Sequence, residues 1–263
     1  MPFEQAKSLR YYTFDSLKKF PLTHGLFTRQ GGVSEEPFAH LNVGSAVGDA
    51  ADAVQQNISL IFDTFNLSKD SLFDSRLVHG TNAVEAEEMG ALGNYAPQDA
   101  DIILTRDPKT TLFMRYADCI PLLFYDPVQH AVALAHAGWK GTVQRVAATA
   151  IEEMKMKYGS QPADLRVAIG PGICVEHYEV GSDVLAEVEN AFGEDAADLL
   201  LSRNGSTYFD LLSANILSLR EAGVVEIEAS GLCTASNTDD WFSHRAEGGR
   251  TGRFGVLLTL NKQ

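Results

Sequence analysis

Apolar positions along the chain recur with two different periods, and the switches between them divide it into strands and helices. Leu22 to Thr28 reads as a strand, followed by a turn at Gln30-Gly31-Gly32 and an irregular stretch through Leu41-Asn42-Val43-Gly44. From about Asp52 to Phe65 the period lengthens, and Val54, Ile58, Ile61, Phe62 and Phe65 share one face of a helix. A β-rich middle follows, with strands predicted over 75–79, 83–87, 101–105, 111–116, 122–125 and 130–136; Asp126-Pro127 turns the chain between the last two. Gly138-Trp139-Lys140-Gly141 then opens a helix from about Thr142 to Lys157, with Val143, Val146, Ala147, Ile151 and Met154 inward. A second strand, loop and helix repeat the pattern: strand 165–169, loop Gly170-Pro171-Gly172-Ile173, and a helix after Gly181 carrying Val184, Val188 and Phe192. A helix over 209–220 and strands over 224–229 and 254–260 follow. Strands outnumber helices and short turns join several of them, which predicts an α+β fold with mixed sheets over a strictly alternating one.

No repeat, low-complexity tract or Pro/Gly/Ser linker breaks the pattern, so residues 1–263 read as a single domain. With 45% hydrophobic and 21% charged residues the chain has the composition of a folded, enzyme-sized body. Its 35 acidic against 21 basic residues, a net charge of -14, would repel a nucleic-acid backbone or an anionic membrane. The N-terminus MPFEQAKSLRYYTF lacks a signal-peptide apolar run, and no stretch approaches the roughly 20 apolar residues of a membrane span. A cytoplasmic location, a small-molecule substrate and a monomer or small homo-oligomer are expected. Cys119, Cys174 and Cys233 are odd in number and far apart, which suits free thiols or ligands better than a disulfide framework.

Candidate chemistry gathers at strand ends. Cys119 lies in Tyr116-Ala117-Asp118-Cys119-Ile120-Pro121, between an acid and a proline-fixed apolar segment, although a buried structural cysteine is the commoner reading of a lone thiol. His136 ends the apolar run Ala131-Val132-Ala133-Leu134-Ala135, where packing explains it poorly. If the strands flanking Asp126-Pro127 are antiparallel neighbours, Cys119 and His136 meet at one end of a sheet. His79, in Leu77-Val78-His79-Gly80, is a third candidate, and the glycine beside it permits close approach. The residues leave two readings open: a Cys-His nucleophilic pair, or a three-ligand catalytic zinc with one open position.

The ordered series His79-Gly80, Asp99-Ala100-Asp101, Ala117-Asp118-Cys119 with Pro121, His136-Ala137-Gly138-Trp139-Lys140-Gly141, Ile169-Gly170-Pro171, Tyr178-Glu179-Val180-Gly181 and Thr251-Gly252-Arg253 resembles the motifs of the YfiH-like purine nucleoside phosphorylase family. That family has also been named for a laccase domain, for polyphenol oxidase and for peptidoglycan editing. The resemblance runs from about Gly25 to Leu260. It implies a four-layer α-β-β-α sandwich shared with toxin deamidases that use a Cys-His pair, and a zinc held by His79, Cys119 and His136. It further implies phosphorolysis of adenosine, inosine and methylthioadenosine, with adenosine deamination. Arg76 stands where a glutamine is usual, Lys140 where an arginine is usual, and Gly172 where a cysteine is frequent; the first two bear on substrate contacts more than on the metal.

Phosphorolysis needs an anion cradle, stabilisation of an oxocarbenium-like sugar and a group that polarises the leaving purine. Arg29, Lys140 and Arg253 are the cationic candidates, and Asn42 is placed with them as substrate-binding. The loop 138–141 offers backbone N–H groups at a helix start, or is simply a tight turn. Asp118, beside Cys119 and His136 in the catalytic set, either orients a ligand, acts as general base or caps a strand. Copper is the minority alternative as cofactor, since two histidines and a cysteine with Met114 as weak axial ligand resemble a blue-copper centre. The seven histidines His24, His40, His79, His130, His136, His177 and His244 are too few for a mononuclear and a trinuclear cluster together. A Cys-His amidase acting on peptidoglycan precursors remains the second functional reading.

Overall fold

Apolar alternation places strands on both sides of a shared interior in the computed structural model, which describes residues 2–86 and 97–262. The strands are β1 (Phe3–Ala6), β2 (Leu9–Tyr12), β3 (Leu22–Phe27), β4 (Leu72–Phe73), β5 (Ala83–Glu85), β6 (Ile102–Thr105), β7 (Thr111–Tyr116), β8 (Ile120–Asp126), β9 (Ala131–Ala137), β10 (Arg166–Ile169), β11 (Glu179–Val180), β12 (Leu200–Arg203), β13 (Ser206–Phe209), β14 (Glu226–Ala229) and β15 (Phe254–Leu260). The helices are α1 (Asp15–Lys18), α2 (Ala51–Thr64), α3 (Trp139–Val143), α4 (Val146–Tyr158), α5 (Ser182–Phe192), α6 (Ala196–Leu199) and α7 (Leu211–Glu221). One sheet has the order β1-β2-β3-β15-β7-β4 and a second β14-β10-β8-β9-β6-β5; β11-β13-β12 form a small third. Both large sheets mix parallel and antiparallel pairs, so the structure has the expected α+β class with mixed sheets.

Three cores follow from the alternation. On β8, Ile120, Leu122 and Phe124 pack towards α4, α5 and α7, while Leu123 and Tyr125 face the other sheet. On β9 the helix-facing positions are Ala131, Ala133, Ala135 and Ala137, whose small size brings α4 close, and Val132 and Leu134 fill the space between sheets. Between the sheets these meet Met114, Tyr116, Val256 and Leu258. The outer face of the first sheet, with Phe27, Phe113 and Leu257, is covered by Val54, Ile58, Ile61 and Phe62 of α2. Each fully buried side chain of this kind stabilises the fold by roughly 1.5–3 kcal/mol.

Several boundaries differ from the sequence reading. Residues 75–79 form no strand: Arg76 makes one isolated bridge to Asp99, and the N–H groups that a ladder would need go to the Asp101 carboxylate instead. The helix predicted from Thr142 begins earlier and is split, because Gly138 caps α3 and Arg145 takes a left-handed φ of 64° between α3 and α4. Arg145 is held there by Ser218, Glu221 and the Ala191 carbonyl. Of the strand predicted over 83–87, only Ala83–Glu85 is extended, and Glu87 lies outside the described residues. The strand predicted from Val224 starts at Glu226, since Val224 turns into the helical core. Among the described residues no helix is long and apolar enough to cross a membrane.

Trp241 is wholly buried and packs edge-on against Phe254 of β15 with ring centroids 5.0 Å apart. Trp241→Ala is expected to lower the unfolding free energy by about 3–5 kcal/mol, measured as a reduced midpoint in urea. A change within 0.5 kcal/mol would contradict this packing role.

Candidate functional site

The register of β8 and β9 brings two candidates to one sheet end. Pro121 lies opposite His136 and Ile120 opposite Ala137, so Cys119, one residue before β8, meets the penultimate residue of β9. His136 points between the sheets, where its ring lies 5.5 Å from that of Tyr116. The third candidate comes from a distant turn: His79 has φ of 61°, an unusual conformation for a residue with a side chain. Asp101 offsets it by accepting backbone N–H groups from Val78, His79 and Gly80 at 3.2, 3.0 and 2.7 Å.

The same carboxylate accepts Nδ1–H of His136 at 2.8 Å, which leaves Nε2 as the donor atom of that ring. One donor atom each from His79, Cys119 and His136 lies within 4.8 Å of the others. The two imidazoles stand 78° apart in plane at 4.9 Å between centroids. Gly138 packs against this group: a Cβ there would lie 2.9 Å from His79 Cδ2 and 3.0 Å from Cys119 Sγ. His136 is buried, Cys119 half-buried and His79 exposed, so the cluster opens on one side.

Charge follows from this packing. Burial by itself would raise the Cys119 pKa, but His136 and His79 outweigh it and hold the thiol at about 6. Burial would depress His136, yet Cys119 and Asp101 keep its pKa at about 9. Without a metal, thiolate and imidazolium therefore coexist between those values. Burial also opposes ionisation of Asp101, but hydrogen bonds from His136, Gly80 and Val78 hold its carboxyl below the usual range.

Asp118 has φ of 83° and turns the chain from β7 into β8. Its carboxylate accepts Thr234 Oγ1 at 2.6 Å, Ser243 Oγ at 2.7 Å and the Arg245 N–H at 2.7 Å. Arg253 is partly buried, and among the described residues no carboxylate reaches it as an ion pair. Burial lowers its pKa, opposed by the charges of Cys119 and Asp118. Its guanidinium donates to the Thr251 and Gly252 carbonyls, and Gly44 leaves room for its stem, since a Cβ there would lie 2.7 Å from Cγ.

Asn42 is wholly buried with its amide fully engaged: Oδ1 accepts from Gly44 N and Arg253 N at 2.8 Å each, and Nδ2 donates to Gly44 O and Asp49. Arg29 is likewise committed, to the Ala39 and Thr238 carbonyls and to Glu247, with Phe242 beneath it. It lines a polar cleft of about 530 Å³ with Gln30, His40 and Thr238. Lys140 is exposed on α3, its Nζ 5.6 Å from the Trp139 ring. As α3 has five residues, it has little macrodipole to offer an anion. The structure thus gathers His79, Cys119 and His136 and sets Arg253 near them, while Arg29 and Asn42 are tied into the surrounding loops. Sequence reasoning gave no role to Asp101, although the acid pair Asp99-Ala100-Asp101 stood out, and missed Thr234, Ser243 and Arg245, whose link to Asp118 spans more than 115 residues.

The family model described as multi-copper polyphenol oxidoreductase laccase matches residues 23–261. A purine nucleoside phosphorylase of Deinococcus radiodurans is 36% identical over 240 residues, covering 91% of this chain and 90% of that protein. Purine nucleoside phosphorylase YlmD of Bacillus subtilis is 35% identical over 247 residues, covering 90% and 88%. Among solved structures, YlmD from Geobacillus stearothermophilus superposes with a TM-score of 0.92 at 29% identity, covering 99% of both chains. The hypothetical protein YfiH of Bacillus licheniformis gives 0.90 at 32%, again over 99% of both.

Two outcomes are expected from this geometry. In metal-free protein, alkylation of Cys119 by iodoacetamide should rise with pH through a midpoint near 6, because the reactive thiolate forms above that value; a midpoint near the roughly 8.5 of a free thiol would refute the pairing. Asp101→Asn should weaken divalent-metal binding by about 10–100-fold in equilibrium dialysis, and unchanged affinity would remove Asp101 from the site.

Proposed function

The chain belongs to the YfiH-like family, whose model is described as multi-copper polyphenol oxidoreductase laccase, and on that premise we propose that it is a zinc-dependent purine nucleoside phosphorylase. Relatives named purine nucleoside phosphorylase support the enzyme class. We read residues 1–263 as one catalytic domain, and the succession of three cores as a four-layer α-β-β-α sandwich of the toxin-deamidase type. The observation that carries the functional reading is the convergence of His79, Cys119 and His136 beside Arg253, a partly buried cation that pairs with no carboxylate among the described residues.

One thiolate and two imidazoles suit zinc, a borderline-soft ion, and three protein ligands leave a fourth position for a reactant. When bound, the ion supplies Lewis-acid polarisation at that open position, the chemistry common to phosphorolysis and deamination of a purine nucleoside. His79, Cys119 and His136 offer one donor atom each, enough for one ion, whereas a trinuclear copper cluster would need several more histidines at the same place, which argues for zinc over a multi-copper assembly.

The chain's own residues do the rest. Arg253 binds phosphate, and its partial burial strengthens the charge-assisted hydrogen bonds it donates. Lys140, exposed on α3 and without an ion pair among the described residues, adds a second cation. Asn42 acts on substrate through Arg253, whose backbone it holds, and Arg29 braces the loop bearing Glu247. Asp118 is a positioning residue: both carboxylate oxygens are occupied by the loop that frames Cys119. Adenosine, inosine or methylthioadenosine and phosphate would yield the free base and the sugar 1-phosphate, with deamination of adenosine as a second activity.

The Cys119 and His136 pair, with thiolate and imidazolium coexisting, also favours a second reading, a Cys-His hydrolase acting on amides of peptidoglycan precursors. Incubation with each nucleoside separates the two. Free base should appear only with phosphate, arsenate should give free sugar, and a chelator should abolish turnover. Arg253→Ala should raise the KM for phosphate by about 10–100-fold, the equivalent of losing a hydrogen bond to a charged group. Amide turnover that survives metal removal and is lost on alkylation of Cys119 would assign the hydrolase.

A further inference from the structure

Cys174, His177 and Cys233 lie outside the site described above and are brought together by two separate segments. Cys174 caps a one-turn 3-10 helix, Val175–His177, in which side chains three apart eclipse, so Cys174 and His177 share a side. Cys233 arrives from the segment that forms a parallel bridge with Gly172. One donor atom from each of the three lies within 4.8 Å of the others. His177 Nδ1 stands 3.3 Å from Cys174 Sγ and 3.9 Å from Cys233 Sγ, and the two sulfurs touch at 2.6 Å. A cavity of about 50 Å³, lined by both cysteines with Ile120 and Gly172, opens beside them. His177 is exposed, which gives an ion a way in.

We propose that Cys174, His177 and Cys233 form a second metal site, which takes a thiophilic divalent cation of the zinc class. Around a tetrahedral ion with bonds of about 2.3 Å to sulfur and 2.0–2.1 Å to nitrogen, sulfur and nitrogen ligands stand about 3.6 Å apart. The two sulfur-to-nitrogen distances bracket that value. The sulfurs must part by about 1 Å to reach the roughly 3.7 Å between two thiolates on one ion, a movement that rotation of the half-buried Cys174 side chain supplies. A disulfide would account for the sulfur contact but gives His177 no part, whereas an ion uses all three groups.

Binding would displace thiol protons to solvent, and two thiolates with a neutral imidazole would balance the charge of the cation. The site would clamp segments that both frame the first: Ile173 N–H donates to the Asp118 carbonyl at 2.8 Å, and Thr234 holds the Asp118 carboxylate.

Full-length protein, stripped of metal under reducing conditions, is titrated with zinc and the bound ions are counted by native mass spectrometry. Two per chain are expected in the wild type, one in Cys119→Ser, one in Cys174→Ser and none in the double variant. With cobalt as probe, Cys119→Ser should keep thiolate-to-cobalt absorption, and adding His177→Ala should diminish it. A Cys119→Ser protein that binds no ion overturns the proposal, as does metal-replete wild type short of two hydrogens with its Cys174 and Cys233 peptides linked. Because the second site is read with the first disabled, a wild type that binds a single ion, kept in Cys119→Ser and lost in Cys174→Ser, would sustain this site and refute the catalytic ligand set instead.

Discussion

A carboxylate without solvent exposure, that of Asp101, accepts four hydrogen bonds: from the His136 ring and from three consecutive backbone amides at Val78, His79 and Gly80. One anion thereby fixes two of the three candidate ligands. The amides lock a left-handed turn that presents His79, and the ring bond selects the tautomer of His136 and aims its other nitrogen at Cys119. Burying a charge is unfavourable unless it is fully satisfied. Here the four donors keep the carboxyl ionised, and that negative charge in turn favours a positive imidazole or a bound cation beside it.

The remaining ligand depends on a second anion used in another way. Asp118 has a left-handed backbone at the β7–β8 junction, and its carboxylate draws in Thr234, Ser243 and the Arg245 amide. Glu247 extends the same loop, accepting from Ser243 N and Thr251 Oγ1 while pairing with Arg29. Residues 234–253 therefore form one polar braid whose far end delivers Arg253, with Asn42 bonded to its backbone. Arg29 and Asn42 matter through this braid, which explains why residues of binding chemistry sit fully engaged with the protein itself.

The strand-end positions of Cys119 and His136 were legible because β8 and β9 are near-continuous apolar runs joined by a short turn, so their pairing follows from local sequence. The helix α2 was equally plain from its 3.6-residue period. What could not be read was whatever depends on contacts between distant segments. Residues 75–79 carry a strand-like pattern, yet Asp101, more than 20 positions on, captures their amides and makes a turn of them. The split between α3 and α4 is likewise imposed from outside, by Arg145 reaching Ala191, Ser218 and Glu221. The strands β1, β2 and β11 to β13 are two to four residues long, too short for periodicity to register.

The chain's net charge of -14 sets a physical condition on any anionic reactant. At physiological ionic strength the field of surface charges is screened beyond about 8 Å, so distant carboxylates neither steer phosphate in nor strongly oppose it once it has entered a cleft. Attraction must come from charges within that range and shielded from water. Arg253 meets both requirements: it is partly buried, it pairs with no carboxylate among the described residues, and it lies close enough to Cys119 and Asp118 for their charges to offset part of the lowering of its pKa by burial. An arginine that satisfied its charge within the fold, as Arg29 does with Glu247, would contribute nothing to an incoming dianion. The two arginines differ in this respect: Arg29 spends its charge on Glu247, and Arg253 spends only hydrogen bonds, on the Thr251 and Gly252 carbonyls, so an anion entering beside the ligand cluster would meet a charge that no carboxylate among the described residues neutralises.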